Sequence, residues 1–220
     1  IRSQLGTSIV EPRVFVERFE DEDADRPTCY NKWRVRFEEH RRNKLFDSIG
    51  TYCIDSATTL IDAITNVILK KVNRPFLAFG GERGKGGFND YQELLGALRN
   101  VVRSCLALPC NFILSGHVSL EKDEVSGQSQ AVMCTYPSIR NYLPILFDEV
   151  IFSVTNTKLV KVGDLLEKTA EYRILTGVYD PYIARSRLAA CGVLKTFEEP
   201  NFKTILKKAG FPYEDKPILD

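Results

Sequence analysis

Long apolar runs are missing from this chain. No stretch approaches the roughly 20 residues that a membrane-spanning helix needs, and no secretory pattern of basic, apolar and small residues opens the sequence. An excess of one charge is also missing: 30 Lys and Arg against 29 Asp and Glu leave a formal net charge of +1. Any contact with nucleic acid or a membrane surface therefore has to be local. None of the six cysteines (Cys29, Cys53, Cys105, Cys110, Cys134, Cys191) stands in a Cys-x-x-Cys pair. That spacing, in mostly apolar surroundings, argues against a zinc site or a disulfide frame and for reduced core residues of a cytosolic protein. Internal repeats and low-complexity linkers are absent. The first residue is Ile, which reads as the start of an excised or processed segment.

What is present is ordinary for a globular chain, with 44% hydrophobic and 27% charged residues over 220 positions, a length that suits one α/β domain. The organising stretch is Gly50 Thr51 Tyr52 Cys53 Ile54 Asp55 Ser56. It reads as a buried parallel strand that delivers Asp55 to the carboxyl edge of a sheet, where open α/β sheets bind their ligands. Leu60, Ile61, Ile64, Val67, Ile68 and Val72 follow at helical spacing. Asp55 fits two roles equally, as a carboxylate on hydrated Mg²⁺ beside nucleotide phosphates and as a cap on that helix. A second run, Asn111 to Leu114, repeats the pattern and ends in Ser115 Gly116 His117. In a parallel sheet Ser115 and His117 would share an edge with Asp55, placed to sense a γ-phosphate or hold an attacking water, although a lone His fits a structural role as well.

Elsewhere the pattern is plainer. Val14 to Phe19 alternates as a strand, and Glu20 to Asp25 reads as a solvated acidic loop. Thr28 to Phe46 is helical and basic, with Trp33, Phe37 and Leu45 facing inward and His40 at the surface; its cations interleave with Glu38 and Glu39 as on an ordinary charged face. Phe79 to Gly87 imitates a phosphate-binding loop, but Phe79 stands where the first Gly belongs and Gly86 where the metal-binding hydroxyl belongs. It reads as a surface loop whose Arg83 and Lys85 are candidate nucleic-acid contacts. Asp90 to Glu93 has the form of a capped helix start. Val118 to Thr135 suggests a projecting β-hairpin turning near Gly127, Ser138 to Phe147 a short helix interrupted at Pro144, and Glu149 to Val154 and Glu171 to Val178 two more strands. Arg185 and Arg187 stand on alternate positions, and Asn201 to Ala209 reads as a helix.

This order, with Ile54 Asp55 Ser56, the Asp90 Tyr91 helix, Ser115 Gly116 His117, Leu143 Pro144, Phe147 Asp148 Glu149 Val150 and Ala184 Arg185 Ser186 Arg187, resembles phage-encoded AAA-type ATP-binding proteins, a RecA-like P-loop NTPase group linked to DNA recombination and single-strand annealing. The likeness covers about residues 44–192. It implies a three-layer α/β sandwich with a mainly parallel RecA-like sheet, its strands centred on Phe15, Cys53, Ile113, Ile151 and Ile174. One core domain would fill residues 1–196, with a helix and tail over 197–220. By the resemblance ATP and Mg²⁺ are the cofactors, Asp55 is the metal-binding acid with Ser56 beside it, and Ser115 and His117 hold the sensor position. Arg185 or Arg187 would serve a neighbouring subunit's γ-phosphate, which implies a homo-oligomer. The hairpin and the Arg83 and Lys85 loop would face single-stranded or duplex DNA, in a bacterial host's cytoplasm. No Gly-x4-Gly-Lys-Ser/Thr loop occurs in the chain, and the resemblance puts that loop upstream. The alternative is a degenerate module that binds DNA or protein without turning over nucleotide; a small-molecule enzyme built on His117 and Asp55 lacks a nucleophile constellation.

Overall fold

The computed structural model describes residues 14–21, 23, 25–78, 90–122, 124, 127–162 and 165–213. The chain divides at Gly116 into two compact units, taken here in turn.

The first unit opens on an extended segment without regular structure, so the strand expected at Val14 to Phe19 is not formed; Val14, Phe15 and Val16 are all exposed. Helix α1 (Cys29–Arg42) follows. The side chain of its N-cap, Thr28, makes no capping hydrogen bond and donates to Asp21 at 3.4 Å, and the carboxylate of Asp21 takes over the cap, accepting from the Cys29 N–H at 2.7 Å. One residue of the acidic run is thus a helix cap. Lys44 adopts a left-handed φ of 56°, which ends α1 and starts the single turn α2 (Leu45–Ser48). Strand β1 (Thr51–Ile54) leads into helix α3 (Ala57–Val72), and helix α4 (Asp90–Leu106) into strand β2 (Asn111–Leu114).

Strands β1 and β2 pair in parallel from Thr51↔Asn111 to Ile54↔Leu114. They form a sheet of two strands only, and their residues alternate between exposed and half-buried. The expectation of a buried strand is therefore corrected. One face is covered, by a chain of rings: Trp33 and Phe37 of α1, Phe46 of α2, Tyr52 of β1 and Phe112 of β2, with successive centroids 5.2–6.2 Å apart. Phe46, rather than the expected Leu45, is the buried member. The Trp33 indole N–H donates to the Tyr52 hydroxyl at 2.9 Å. Burial pushes the Tyr52 phenol up to about 12, against the opposing pull of that bond. The remaining core joins Leu60, Ile61, Ile64 and Ile68 of α3 to Leu94, Leu98, Val102 and Cys105 of α4, the two apolar stripes that helical periodicity predicts. Asp90 is fully buried, and it does more than begin a helix. It accepts from the Arg74 guanidinium and from the Ala78 N–H at 2.9 Å, tying the segment after α3 to the first turn of α4.

The second unit is antiparallel. Strands β3 (Val118–Lys122) and β4 (Ser129–Met133) form the expected hairpin, from Val118↔Met133 to Lys122↔Ser129. Helix α5 (Pro137–Tyr142) passes into a 3-10 turn, Leu143–Leu146, at Pro144. Strand β5 (Glu149–Val150) is short. Strands β6 (Phe152–Val162) and β7 (Leu165–Leu175) pair over 11 residues each. Three small pairings and two helices follow: β8 (Val178–Tyr179) with β9 (Tyr182–Ile183), β10 (Arg185–Ser186) with β5, then α6 (Arg187–Ala190), β11 (Phe197–Glu198) on β7, and α7 (Phe202–Ala209). Ile174, Leu194 and Ile205 form a core under Leu188 and Val193.

The mainly parallel RecA-like sheet is therefore overturned. Among the described residues only β1 and β2 run parallel, and every other pairing is antiparallel in sheets of two or three strands. Strands β6 and β7, which follow Ile151 and contain Ile174, are separated by only two residues of sequence, a length that joins antiparallel strands directly, whereas parallel neighbours need a long crossover.

Glu198 ties β11 to α7. Its carboxylate accepts from the Lys195 N–H at 2.8 Å and pairs with Lys208, at 5% exposure. Burial raises its pKa, the two lysine contacts lower it, and the balance lies below the ordinary 4.5. A lowered folded pKa means stabilisation that is present above about pH 4.5 and fades as pH falls through the folded value. Glu198→Gln should cost about 1–3 kcal/mol at neutral pH, and urea denaturation should show this gap to the unsubstituted chain closing below pH 4.5.

Candidate functional site

The parallel register sets the site. Ile54 pairs with Leu114, so the next residues, Asp55 and Ser115, leave the carboxyl ends of β1 and β2 side by side. The Ser115 N–H donates to the Ile54 carbonyl at 3.1 Å, continuing the ladder by one bond. The Ser115 carbonyl then accepts from the Ala57 N–H at 2.8 Å, joining the end of β2 to the first turn of α3. The Ser115 hydroxyl donates to Asp55 Oδ1. Asp55 is exposed, and its Oδ2 has no hydrogen-bond partner among the described residues.

Ser56 stands next to Asp55 across a cis peptide bond, but its side chain is occupied differently. It is 4% exposed and forms a capping box: its hydroxyl accepts from the Thr59 N–H at 3.4 Å, and the Thr59 hydroxyl accepts from the Ser56 N–H at 3.0 Å. The cap that the sequence allowed on Asp55 is supplied by Ser56, and the Asp55 carboxylate is exposed with Ser115 on Oδ1.

The other sequence-derived positions fall elsewhere. His117 is exposed and belongs to the second unit, where its carbonyl accepts from the Cys134 N–H at 2.8 Å. Arg185 reaches the carbonyl of Pro144 and, at 3.4 Å, that of Phe147. Arg187 pairs with Asp148 at 2.9 Å, both side chains well exposed, so that pair contributes little to stability. Both arginines brace the segment that precedes β5. Arg83 and Lys85 lie outside the described residues.

A feature not anticipated from sequence is an open groove of about 800 Å³ beside α1, lined by Arg18, Phe19, Asn31, Lys32, Val35 and Arg36 among others. Glu17 shapes it, accepting from Arg36 at 2.7 Å and meeting His40 at 2.9 Å. Burial raises the Glu17 pKa, but those two partners outweigh it and hold the carboxyl below its usual range. His40 is only 17% exposed in its side chain and packs edge-on against Phe46, which corrects its assignment to the surface. The spacing of Glu17 and His40, 23 residues apart, carries no local signal.

Among the described residues no helix is long and apolar enough to cross a membrane, and no group of three or more His, Cys, Asp or Glu side chains could hold a metal by itself. Compared with family models, curated proteins and solved structures, the chain shows no match.

The two serines at this edge should separate in stability measurements. Ser56→Ala removes a buried cap and should cost about 0.5–2 kcal/mol in thermal or urea unfolding. Ser115→Ala, losing a solvent-exposed bond to Asp55, should cost about 1 kcal/mol or less; equal losses would contradict this division of roles.

Proposed function

We propose that the Asp55 and Ser115 edge holds a hydrated Mg²⁺ with the phosphates of ATP, and that the protein is an ATP-binding and ATP-hydrolysing component of phage DNA recombination or strand annealing. The observation that carries this reading is the exposed carboxylate at the carboxyl end of a parallel strand pair, oriented through Oδ1 by the neighbouring strand's hydroxyl. Mg²⁺ demands little more from protein, because it keeps several waters and is bound through one or two carboxylates plus substrate phosphates. The donor set fits on that count: the Asp55 carboxylate would hold the ion, and the Ser115 hydroxyl, bonded to Oδ1, would steady it. When bound, the ion would neutralise charge on the phosphates. The start of α3 adds the positive end of its dipole at the same edge.

The same geometry limits what the edge does by itself. The leading amides of α3 at Ala57 and Thr59 are committed to Ser115 and Ser56, so they do not cradle phosphate. No Gly-x4-Gly-Lys-Ser/Thr loop is present to do so. Arg185 and Arg187, proposed by resemblance as γ-phosphate contacts, would have to leave Pro144 and Asp148 first. These two facts favour a second reading, a module that binds DNA or protein partners without turnover, and the DNA contact assigned to Arg83 and Lys85 belongs to either.

Calorimetric titration with ATP, with and without Mg²⁺, separates the two. The first reading expects Mg²⁺-dependent binding that Asp55→Asn weakens about tenfold or more with the circular dichroism spectrum unchanged. Binding indifferent to Mg²⁺ or to Asp55→Asn would remove this edge from nucleotide chemistry.

A further inference from the structure

The β6 and β7 ribbon is built in a way its own unit does not explain. It pairs one residue to one without a bulge over its full length, from Phe152↔Leu175 to Val162↔Leu165. Only its base is covered: β11 meets β7 at Ile174 and Leu175 alone, and those two residues are buried while Leu159 and Tyr172, further out, are 63% and 65% exposed. Every residue from Thr155 to Val160 is exposed, so both faces of β6 stand in solvent there. A free-standing pair of strands is marginal in water and gains stability from a third.

Among the described residues strand β6 is also an edge along its whole length, in the order β11, β7, β6. Natural edges are blunted by Pro, bulges, brevity or unpaired charge. Phe Ser Val Thr Asn Thr Lys Leu Val Lys Val, residues 152–162, has neither Pro nor Gly, and it is rich in β-branched side chains. The Lys158 charge is answered within the ribbon, by Glu171 at 2.6 Å, which Arg173 also reaches at 2.7 Å. Because cross-strand partners share a face, this charged triad lies on one side. The other side of β6 carries Ser153, Thr155, Thr157 and Leu159, all uncharged, before Lys161 near the end of the strand.

We propose that this edge is a pairing surface for a second copy of the chain, the two β6 strands running antiparallel across a two-fold axis at Thr157. The occupant follows from self-complementarity. Thr157 is the midpoint of Phe152–Val162, so the symmetric register that uses the whole strand sets Thr157 against itself. It then sets Leu159 against Thr155, Val160 against Val154 and Lys158 against Asn156. Threonine pairs and apolar pairs are favourable across strands, and neither lysine of β6 meets its own copy, Lys158 facing Asn156 and Lys161 facing Ser153. A net charge of +1 puts no long-range repulsion between copies. The contact is isologous, so it closes after two chains and leaves no β6 edge to propagate. The ribbons become one four-stranded sheet, β7, β6, β6 and β7. This pairing is independent of the nucleotide reading and of Arg185 and Arg187.

Sedimentation of the full chain over a concentration series tests it. The expected result is a discrete dimer whose dissociation constant rises about tenfold or more in Thr157→Lys, where two like charges meet on the axis. Ala170→Lys puts the same charge on exposed β7, opposite Thr157 within one chain, and should leave the dimer intact. Circular dichroism checks that both variants keep their strands. Should Thr157→Lys disturb folding, mild oxidation of Thr157→Cys supplies the second readout: peptide mass spectrometry should find position 157 of one copy linked to position 157 of another. A chain monomeric at every concentration, a dimer indifferent to Thr157→Lys, equal losses in both lysine variants, open-ended assemblies, or no link at position 157 would each overturn the proposal.

Discussion

Four pairs of residues in a parallel ladder, Thr51 to Ile54 against Asn111 to Leu114, hold the candidate site together. Sixty residues separate Asp55 from Ser115 in sequence, and nothing local connects them. Parallel neighbours cannot be joined by a tight turn; the chain has to travel through α3 and α4 before it returns. Those helices in turn bury their stripes on one another, with Ile64 and Leu94 among the most completely enclosed side chains. Their packing fixes the ladder's register, and the register puts the Ser115 hydroxyl on the Asp55 carboxylate. A slip of one residue would turn each side chain of the slipped strand to the other face.

So small a sheet needs support that larger sheets obtain from more strands. The ring chain from Trp33 to Phe112 supplies it on one face, with aromatic contacts at 5.2–6.2 Å and the indole bond to Tyr52. Ring pairs at such separations add to the area they bury. Asp21 starts the helix that carries the first two rings, and the buried Asp90 anchors the helix that precedes β2. Two carboxylates thus do structural work at the ends of helices, while Asp55 alone is left open at the strand end. That contrast, rather than the bare occurrence of an acid after a strand, sets Asp55 apart.

The second unit meets the same demand differently. Most of its strands pair with immediate neighbours, β3 with β4, β6 with β7 and β8 with β9, while β10 returns to β5 and β11 to β7. Polar contacts brace it where strands are shortest: Thr176 donates to the Lys195 carbonyl at 2.6 Å, and Glu198 bridges β11 to α7. The long ribbon is the exception, since its outer part has a complete ladder inside and no cover outside.

Patterns of short range were legible in the sequence: the α3 and α4 stripes, the hairpin around Gly127, and the helix that ends at Ala209 before Gly210 with its φ of 72°, whereas the cap of α3 falls on Ser56 and not on Asp55. Each depends on neighbours three or four positions away, or on one residue's own backbone preference. The parallel pair that ends in Asp55 and Ser115 formed as expected, but the antiparallel pairing of the later strands was not legible, because Ile151 and Ile174 sit in apolar runs that suit parallel and antiparallel partners alike. By itself the sequence determined which segments coil, and that an acid and a serine each follow an apolar strand. Tertiary structure alone decided that the two strands lie together, that Ser56 faces inward while Asp55 stays open, and that the arginines serve carbonyls and a surface carboxylate. The reason is physical: periodicity records which face of an element is apolar, whereas the partner that covers it is chosen by distant residues.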